Sequence, residues 1–373
     1  MHSSTHAELR ERFAQMRREG QARHRDIAAS LGVSEGELIA AHVSVRQGAQ
    51  PGASLLVAQR LQPVWAQIVE ALEPVGEMMA LTRNASCVHE KTGIYRAASH
   101  TGAMGLVLGG AIDLRLFYSR WTHGFAVDEL TPAGLQRSLQ FFDAAGMALH
   151  KVFVKPQSNV DEWFAVIERF RDVLQHPGLE PLPAAPAVAD RSDATIDVAG
   201  LHDAWASLRD THEFFGLLKR FGVGRLQALR FAEARFVQRV EESSAHQILN
   251  AAANSGVPIM VFVGNPGVIQ IHGGPVHKIA VMGPWLNVLD PAFNLHLRED
   301  HISSAWVVRK PTVDGLVTSL ELFDAGGETI AMFFGERKPG QVESCGWRTL
   351  VGDLLSEHVG HAMGDLKAVP CAA

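Results

Sequence analysis

The sequence predicts an α+β fold built from two similar halves, each with helices followed by a large antiparallel sheet. Three observations predict it: an internal repeat, helical periodicity at the start of each half, and short apolar runs broken by turns. Residues 138–146 (SLQFFDAAG) recur at 319–327 (SLELFDAGG), an offset of 319 − 138 = 181 that also pairs Met79 with Met260. Solenoid repeats span about 20–50 residues, so this longer unit indicates a duplicated domain.

The length of 373 residues suits two domains of about 150–190 residues each. We expect an N-terminal repeat over 1–180 and a C-terminal repeat over 190–373. The segment at about 177–189 is rich in proline and should be a linker, because proline interrupts both helices and sheets.

Composition excludes several classes of protein. The formal net charge of −6 argues against a nucleic-acid binder, which usually carries a basic balance. No run approaches the roughly 18 uncharged apolar residues of a membrane span, and the N-terminus lacks the apolar centre of a signal peptide. Cys87, Cys345 and Cys371 show no paired spacing, which is typical of the reducing cytoplasm.

The first half opens with helix and continues as sheet. Residues 7–45 show helical patterning with a break at 31–34 (LGVS), where Ser34 and Glu37 form a capping box for the next helix. Residues 76–154 alternate short apolar runs with Gly and Asn turns, a pattern typical of antiparallel strands.

The second half repeats this order. The turn at 31–34 has a counterpart at 221–225 (FGVGR), offset by 190 rather than 181. Apolar spacings of three and four predict one amphipathic helix near 201–218, followed by another at about 227–254. The helical stripe comprises Leu201, Trp205, Leu208, His212, Phe215 and Leu218. Strands are then expected near 259–263, 268–271, 285–289, 295–297, 305–310, 317–323 and 330–334.

His212 is the first candidate for a chemical role. It lies on the predicted apolar stripe beside Phe214 and Phe215, and the first half has no equivalent histidine. A buried histidine with one structural hydrogen bond is the simpler interpretation. However, an apolar helix face that presents one imidazole is also how proteins supply an axial ligand to haem iron.

Four cations accompany this histidine: Arg225, Lys310 and Arg337 in the second half and Arg115 in the first. A single arginine or lysine is usually a solvated surface group. Together they could pair with two carboxylates, because arginine binds a carboxylate at two points and lysine acts as a point charge. A flat, apolar, dianionic ligand with a metal centre fits haem.

Two other patterns carry less weight. Residues 264–267 (GNPG) and 273–275 (GGP) look like phosphate loops but lack the P-loop spacing, and we interpret them as hairpin turns. Glu357, His358 and His361 could be zinc ligands, yet their spacing is not that of a zinc-protease helix, which favours a surface role.

Three segments resemble the cytoplasmic hemin-degrading factors, or haemin transport proteins, of Gram-negative bacteria. They are 265–272 (NPGVIQIH), 283–290 (GPWLNVLD) and 306–323 (WVVRKPTVDGLVTSLELF). The resemblance covers almost the whole chain. It implies two similar halves, each a large antiparallel sheet with helix pairs, and one haem in the cleft between them.

The resemblance also implies roles for single residues. Residues 210–215 (DTHEFF) are similar to the family motif whose histidine is the proximal iron ligand, here His212. Arg225, Lys310 and Arg337 fall where the family places propionate or haem-pocket contacts.

In the first half, residues 113–117 (DLRLF) resemble the segment that covers the distal face of the haem. Arg115 would support water or oxygen at the iron, and Phe117 would pack on the porphyrin. Phe334 stands where the family often carries tyrosine, so a phenol hydrogen bond would be lost.

The main functional hypothesis is a cytoplasmic haem-binding protein for iron acquisition. It would degrade haem by reductant-driven oxidative ring opening, with His212 on the iron and Arg115 above the opposite face. The alternative is a non-enzymatic haem chaperone that takes haem from an ABC transporter and delivers it to a separate haem oxygenase or reductase. A third reading, a plain pair of structural or partner-binding domains, requires that no haem binds.

Overall fold

A computed structural model describes residues 5–20, 23–44, 55–184, 190–337 and 340–359. The first half begins with three helices and contains most of its strands between two further helices. Its elements are α1 (His6–Arg18), α2 (His24–Leu31), α3 (Glu35–Ala40), β1 (Leu56–Arg60), α4 (Trp65–Glu70), β2 (Met78–Arg83), β3 (Cys87–Gly93), β4 (Ser99–Thr101), β5 (Met104–Val107), β6 (Asp113–Phe117), β7 (His123–Thr131), β8 (Gly134–Phe142), β9 (Ala148–Val154) and α5 (Val160–Phe170).

The second half repeats this series. Its elements are α6 (Val198–Ala206), α7 (Glu213–Phe221), α8 (Arg225–Phe231), β10 (Val237–Val240), α9 (Ser244–Ser255), β11 (Ile259–Asn265), β12 (Val268–Gly274), β13 (Ile279–Met282), β14 (Trp285–Asp290), β15 (Phe293–Arg298), β16 (Ser304–Thr312), β17 (Gly315–Phe323), β18 (Thr329–Gly335) and α10 (Cys345–Val359).

The strands form two nine-stranded sheets. Their orders are β1-β7-β8-β9-β2-β3-β15-β14-β13 and β10-β16-β17-β18-β11-β12-β6-β5-β4. Hairpins link β7 to β8 and β8 to β9, and the same antiparallel meander joins β16, β17 and β18. The α+β class with large antiparallel sheets flanked by helices is therefore confirmed.

The duplication extends to irregularities of the backbone. The hairpin of β7 and β8 pairs Thr131 with Gly134, and that of β16 and β17 pairs Thr312 with Gly315, again 181 residues on. The next hairpin in each half also has a register shift at one position, between Phe141 and Phe142 in the first and between 322 and 323 in the second. Register shifts at matching positions support a common origin of the two halves.

The chain divides into two compact units. Of the described residues, unit 1 holds those within 1–83, 90–186 and 265–270, and unit 2 holds those within 84–89, 187–264 and 271–373. Strands β3 and β12 are each divided between the units at 89/90 and 270/271. The sequence-based boundaries at 180 and 190 do not anticipate these short segments.

Within each unit, helices cover the sheet from two sides. In unit 2, α9 and α10 pack on the face that carries Leu320 and Phe333, whereas α6, α7 and α8 pack on the face that carries Val308. In unit 1, α4 and α5 pack beside Leu139, and α1, α2 and α3 pack beside Val127. Strand alternation causes this, because neighbouring side chains point to opposite faces.

The long helix expected near 201–218 is wrong. The chain forms α6 and α7 with a break at 207–212, and the buried face of α7 comprises Phe214, Leu217 and Leu218. The side chain of His212 is 89% exposed and Phe215 is 77% exposed. Where the helix restarts, the carboxylate of Glu213 accepts hydrogen bonds from two preceding backbone N–H groups, which ties the loop to the first turn of α7.

Other expectations near the helices had mixed outcomes. The helix expected at 227–254 is wrong, since β10 separates α8 from α9. The capping box of Ser34 and Glu37 is confirmed, and Gly32 and Gly222 both end their helices in the left-handed conformation. The linker is irregular over 177–184, and its remainder to 189 lies outside the described residues.

The three cysteines have no paired spacing in the sequence, yet Cys345 is disulfide-bonded, whereas Cys87 is free and buried. Position 361 of the weak zinc pattern lies outside the described residues. Across the part of the chain that the structure describes, no helix is long and apolar enough to cross a membrane.

Candidate functional site

One face of the sheet in unit 2 carries two of the predicted site residues, Lys310 and Phe334. Glu321 is paired with Met332 and Ser319 with Phe334, so these side chains share a face, and Lys310 reaches the same face from β16. Helices α6 to α8 cover one end of this face. Phe334 is half-buried against Phe262, with ring centres 4.9 Å apart.

A buried ion cluster occupies the middle of this face. The guanidinium of Arg225 donates to Glu321 at two points, from Nε to Oε2 at 2.7 Å and from Nη2 to Oε1 at 2.8 Å. The Nζ of Lys310 and the hydroxyl of Ser319 each donate to Oε1 at 2.8 Å. Two of the predicted cations are thus brought together around one carboxylate, which leaves one net positive charge when all three groups are ionised.

The pKa values in the cluster follow from burial and pairing. Burial alone would raise the pKa of Glu321, but the charges of Arg225 and Lys310 outweigh it and hold that pKa well below its usual range. Burial lowers the pKa of Lys310 to about 8, and the Arg225 charge acts in the same direction against the pull of Glu321. At neutral pH the cluster therefore keeps its positive charge, close to the point where Lys310 would lose it.

Phe214 connects this cluster to helix α7. The Nζ of Lys310 lies 4.6 Å from the centre of the Phe214 ring, and the guanidinium carbon of Arg225 lies 5.2 Å from it. Trp205 meets the ring edge-on with centres 4.7 Å apart. Cation–π and aromatic contacts of this kind stabilise the start of α7 against the sheet.

His212 lies at that start, immediately before α7. Its Nδ1 is 2.6 Å from Oδ1 of Asp210, and its Nε2 makes no hydrogen bond within the described chain. The neighbouring Phe215 exposes its ring to solvent. The imidazole is thus anchored through one nitrogen and offers the other beside an exposed aromatic surface.

Arg337 lies near the same loop. Its Nη1 is 3.6 Å from the carboxylate of Asp314 and donates at 3.4 Å to the carbonyl of Gln341. The backbone and side-chain N–H groups of His212 lower the pKa of Asp210, and the charge of Arg337 contributes to the same shift. Arg337 is therefore a partly exposed cation close to the histidine loop.

Arg115 and Phe117 belong to unit 1 and are described separately. In β6 the side chains of Leu114 and Leu116 are buried, while those of Arg115 and Phe117 lie half-buried on the opposite face. The guanidinium of Arg115 is paired with Asp113. Burial raises the pKa of Asp113, although Arg115 acts against that shift.

Unit 1 has its own buried ion cluster, which the sequence did not indicate. The Nε2 of His24 lies 2.8 Å from Glu35 and its Nδ1 lies 3.2 Å from Glu129. The Nζ of Lys151 lies 2.5 Å from Glu35, which is also paired with Arg83. All of these groups are largely shielded from solvent.

The two clusters occupy matching positions with opposite charges. Glu35 begins α3 where Arg225 begins α8, at the helix offset of 190. Glu129 in β7 matches Lys310 in β16 at the sheet offset of 181. In unit 1 the two acidic residues both contact His24. In unit 2 the two basic residues both contact Glu321.

Two residues that contact the candidate site residues in unit 2, Glu321 and Asp210, were not predicted from the sequence. Within the repeated segment, Glu321 stands where the first half has the uncharged Gln140. That difference in charge could have indicated a special role for Glu321. Asp210 precedes His212 by two residues, a spacing at which an aspartate can bond the backbone of a turn.

The chain is similar to a known family. The family model described as the haemin-degrading HemS/ChuX domain matches it twice, at residues 32–170 and 222–354. These two matches coincide with the two halves of the duplication.

Individual relatives span nearly the full length. Hemin transport protein HmuS of Yersinia pestis is 38% identical over 357 residues, which covers 95% of this chain and 99% of that protein. The crystal structure of holo-PhuS, a heme-binding protein from Pseudomonas aeruginosa, gives a TM-score of 0.87 at 46% identity, covering 94% and 98% of the two chains. The heme degrading enzyme ChuS of Escherichia coli O157:H7 gives a TM-score of 0.83 at 36% identity, covering 94% and 99%.

Proposed function

The chain belongs to the haemin-degrading HemS/ChuX domain family, and we propose that it binds haem for iron utilisation through His212. The observation that carries the proposal is the state of this side chain. It is 89% exposed, held through Nδ1 by Asp210, and leaves Nε2 available for a metal. On the family resemblance, we propose that the protein works in the cytoplasm.

The residues of unit 2 fit the chemistry of haem. An imidazole nitrogen suits iron, and the exposed ring of Phe215 offers a flat apolar surface to a porphyrin. The two propionates need cations, which Arg337 and the Arg225–Lys310 cluster can supply. Because Arg225 and Lys310 share Glu321, they offer one net positive charge rather than two.

Each residue would have a distinct task. His212 would ligate iron through Nε2, while Arg337 and the cluster of Arg225 and Lys310 would hold the carboxylates. Phe334 would contribute to the apolar lining, and as a phenylalanine it has no hydroxyl to donate.

In unit 1, we propose that Arg115 and Phe117 contact the same ligand, on the strength of the family resemblance. A guanidinium has five N–H donors, so Arg115 can keep its pairing with Asp113 and still donate another hydrogen bond. Phe117 on the same face of β6 would add apolar contact.

For catalysis, the proposal is oxidative ring opening of haem. Bound haem would supply the redox chemistry, with dioxygen or peroxide as the oxidant and electrons from an external reductant. The chain's own residues would orient the ligand, exclude bulk water and donate a hydrogen bond from Arg115.

A second candidate is a haem chaperone, and the exposure of His212 favours it. A ligand side chain that is 89% exposed is accessible to a partner protein, which suits exchange of haem. Such a protein would accept haem from a membrane transporter and deliver it to a separate oxygenase or reductase.

The two candidates differ in their dependence on peroxide. Haem-loaded protein would be incubated with ascorbate, with and without catalase, and the tetrapyrrole products analysed. Ring opening that persists with catalase would support the degrading enzyme. Turnover that catalase abolishes would support the chaperone.

The test of haem binding is a titration of the apo-protein with hemin, followed at the Soret band. Wild type should give a one-to-one endpoint, and His212→Ala should weaken binding and change the spectrum. His246→Ala is the control, since His246 is a half-exposed histidine of the same unit paired with Glu299. Equal titrations for wild type and His212→Ala would disprove the assignment.

A further inference from the structure

We propose that Asp210 is a positioning residue that holds the His212 ring in the tautomer with hydrogen on Nδ1 and a free Nε2. The inference rests on the proposed function, because this tautomer matters only if Nε2 of His212 binds haem iron. It concerns a residue that makes no contact with iron itself.

The geometry around Asp210 supports this role. One carboxylate oxygen, Oδ1, accepts from the backbone N–H of His212 at 2.8 Å and from its Nδ1 at 2.6 Å. A carboxylate accepts hydrogen bonds and cannot donate when ionised, so the contact requires the hydrogen on Nδ1. In a neutral imidazole, Nε2 then carries the lone pair that binds a metal.

The same oxygen fixes the direction of the ring. Since the backbone and the side chain of His212 both donate to Oδ1, the torsion between them is restricted. His212 is the N-cap residue of α7 but makes no side-chain capping bond, so its ring is not used to start the helix. The contact with Asp210 therefore orients the ring, while Asp210 and Glu213 also hold the turn that precedes α7.

The loop that carries Asp210 is itself held in place. The carboxylate of Glu213 accepts from the backbone N–H of Arg209 at 2.8 Å and from that of Asp210 at 3.3 Å. The backbone N–H of Val313, in the turn between β16 and β17, donates to the carbonyl of Arg209 at 3.0 Å. These bonds place Asp210 before any ligand arrives, although both it and His212 are exposed.

A carboxylate behind a ligating histidine has two general effects. It fixes the ring orientation, and it raises the basicity of the nitrogen that binds the metal. Loss of such a partner typically lowers metal affinity by about 10–100-fold. We expect Asp210→Ala to weaken hemin binding by a factor in this range.

The first test uses the apo-protein and needs no haem. Nitrogen-15 NMR of the histidine rings at mildly alkaline pH should show His212 of the wild type with hydrogen on Nδ1. In Asp210→Ala the tautomer with hydrogen on Nε2 should gain population. Asp210→Asn retains an oxygen acceptor and should keep the wild-type tautomer. A wild-type His212 with hydrogen on Nε2 would overturn the proposal.

The second test uses hemin-loaded protein. After reduction, the iron–histidine stretching frequency measured by resonance Raman should be lower in Asp210→Ala and Asp210→Asn than in wild type, because both lose the negative charge. Asp203→Ala, a change of an exposed carboxylate on α6, is the matched control and should leave affinity and frequency unchanged. An unchanged frequency and hemin affinity in Asp210→Ala would also overturn the proposal.

The outcomes separate this inference from the proposed function. If His212→Ala binds hemin as tightly as wild type, the proposed iron ligand is wrong whatever the tautomer. If His212→Ala loses binding but Asp210→Ala does not, the ligand stands and the positioning role fails.

Discussion

Arg225 and Glu321 form a two-point ion pair in which the carboxylate is fully buried and the guanidinium is about one quarter exposed. Lys310 donates to the same carboxylate. Removal of the negative charge of Glu321 would therefore leave both Arg225 and Lys310 without a partner. Burial of an unpaired charge is among the most costly changes in a protein interior.

Glu321→Gln should therefore destabilise unit 2. We expect a loss of about 3–5 kcal/mol in the free energy of unfolding, measured by urea denaturation. Glu328→Gln, on an exposed loop beside the same sheet, is the control and should change stability by less than about 0.5 kcal/mol. Equal midpoints for the two variants would show that the cluster contributes little.

The pKa of Lys310 predicts a pH dependence of haem binding. Since burial lowers this pKa to about 8, the cluster carries one net positive charge below that pH and none above it. Affinity for a ligand with two carboxylates should fall as pH rises through 8, by up to about tenfold between pH 7 and pH 9 if the charge contacts a propionate.

The matched variant for this experiment is Lys310→Arg. A guanidinium stays protonated over the whole range, so its hemin affinity should vary less between the two pH values than that of wild type. Parallel pH profiles for wild type and variant would rule out Lys310 as the titrating group.

His24 predicts a pH dependence of stability in unit 1. Burial and the charge of Lys151 lower its pKa, but hydrogen bonds to Glu129 and Glu35 outweigh them and raise the pKa above 6.5. A raised histidine pKa contributes stability that is fully present below the unfolded value of 6.5 and is lost as pH rises through the folded value.

His24→Gln should remove this contribution. The difference in unfolding free energy between wild type and variant should be larger at about pH 6 than at about pH 9. Circular dichroism during urea unfolding at both pH values measures it. A difference that grows with pH would contradict the sign of the shift.

The two adjacent phenylalanines of α7 should behave differently. Phe215→Ala removes an exposed ring and should leave stability within about 0.5 kcal/mol of wild type while it weakens hemin binding several-fold. Phe214→Ala removes a ring that is 2% exposed and should cost about 3–5 kcal/mol. Unchanged hemin affinity in Phe215→Ala would show that the exposed ring does not contact the ligand.

Repetition made the sheet predictable. All seven strands expected in the second half are present, because short apolar runs bounded by turn residues mark them in the sequence and the first half repeats the pattern. The helices were less predictable. The spacing of three and four residues continued from Leu208 through His212 to Phe215, although the loop between them belongs to no helix.

Arg225 and Lys310 could be singled out from the sequence as candidate cations, but their shared pairing with Glu321 could not. Arg225 and Lys310 lie 85 residues apart in the sequence, and only the meeting of α8 with β16 and β17 places one carboxylate between them. The position of Asp210 likewise depends on the hydrogen bonds of a turn, and these leave no periodic pattern of apolar residues in the sequence. Polar partners of this kind are determined by tertiary structure rather than by local pattern.

The charges of Glu35 and Arg225, and of Glu129 and Lys310, are reversed between the two halves. Transfer of one such residue into the other half would bury its charge without the partner that balances it. The two halves are therefore not interchangeable residue by residue at these positions, although the strands around them match.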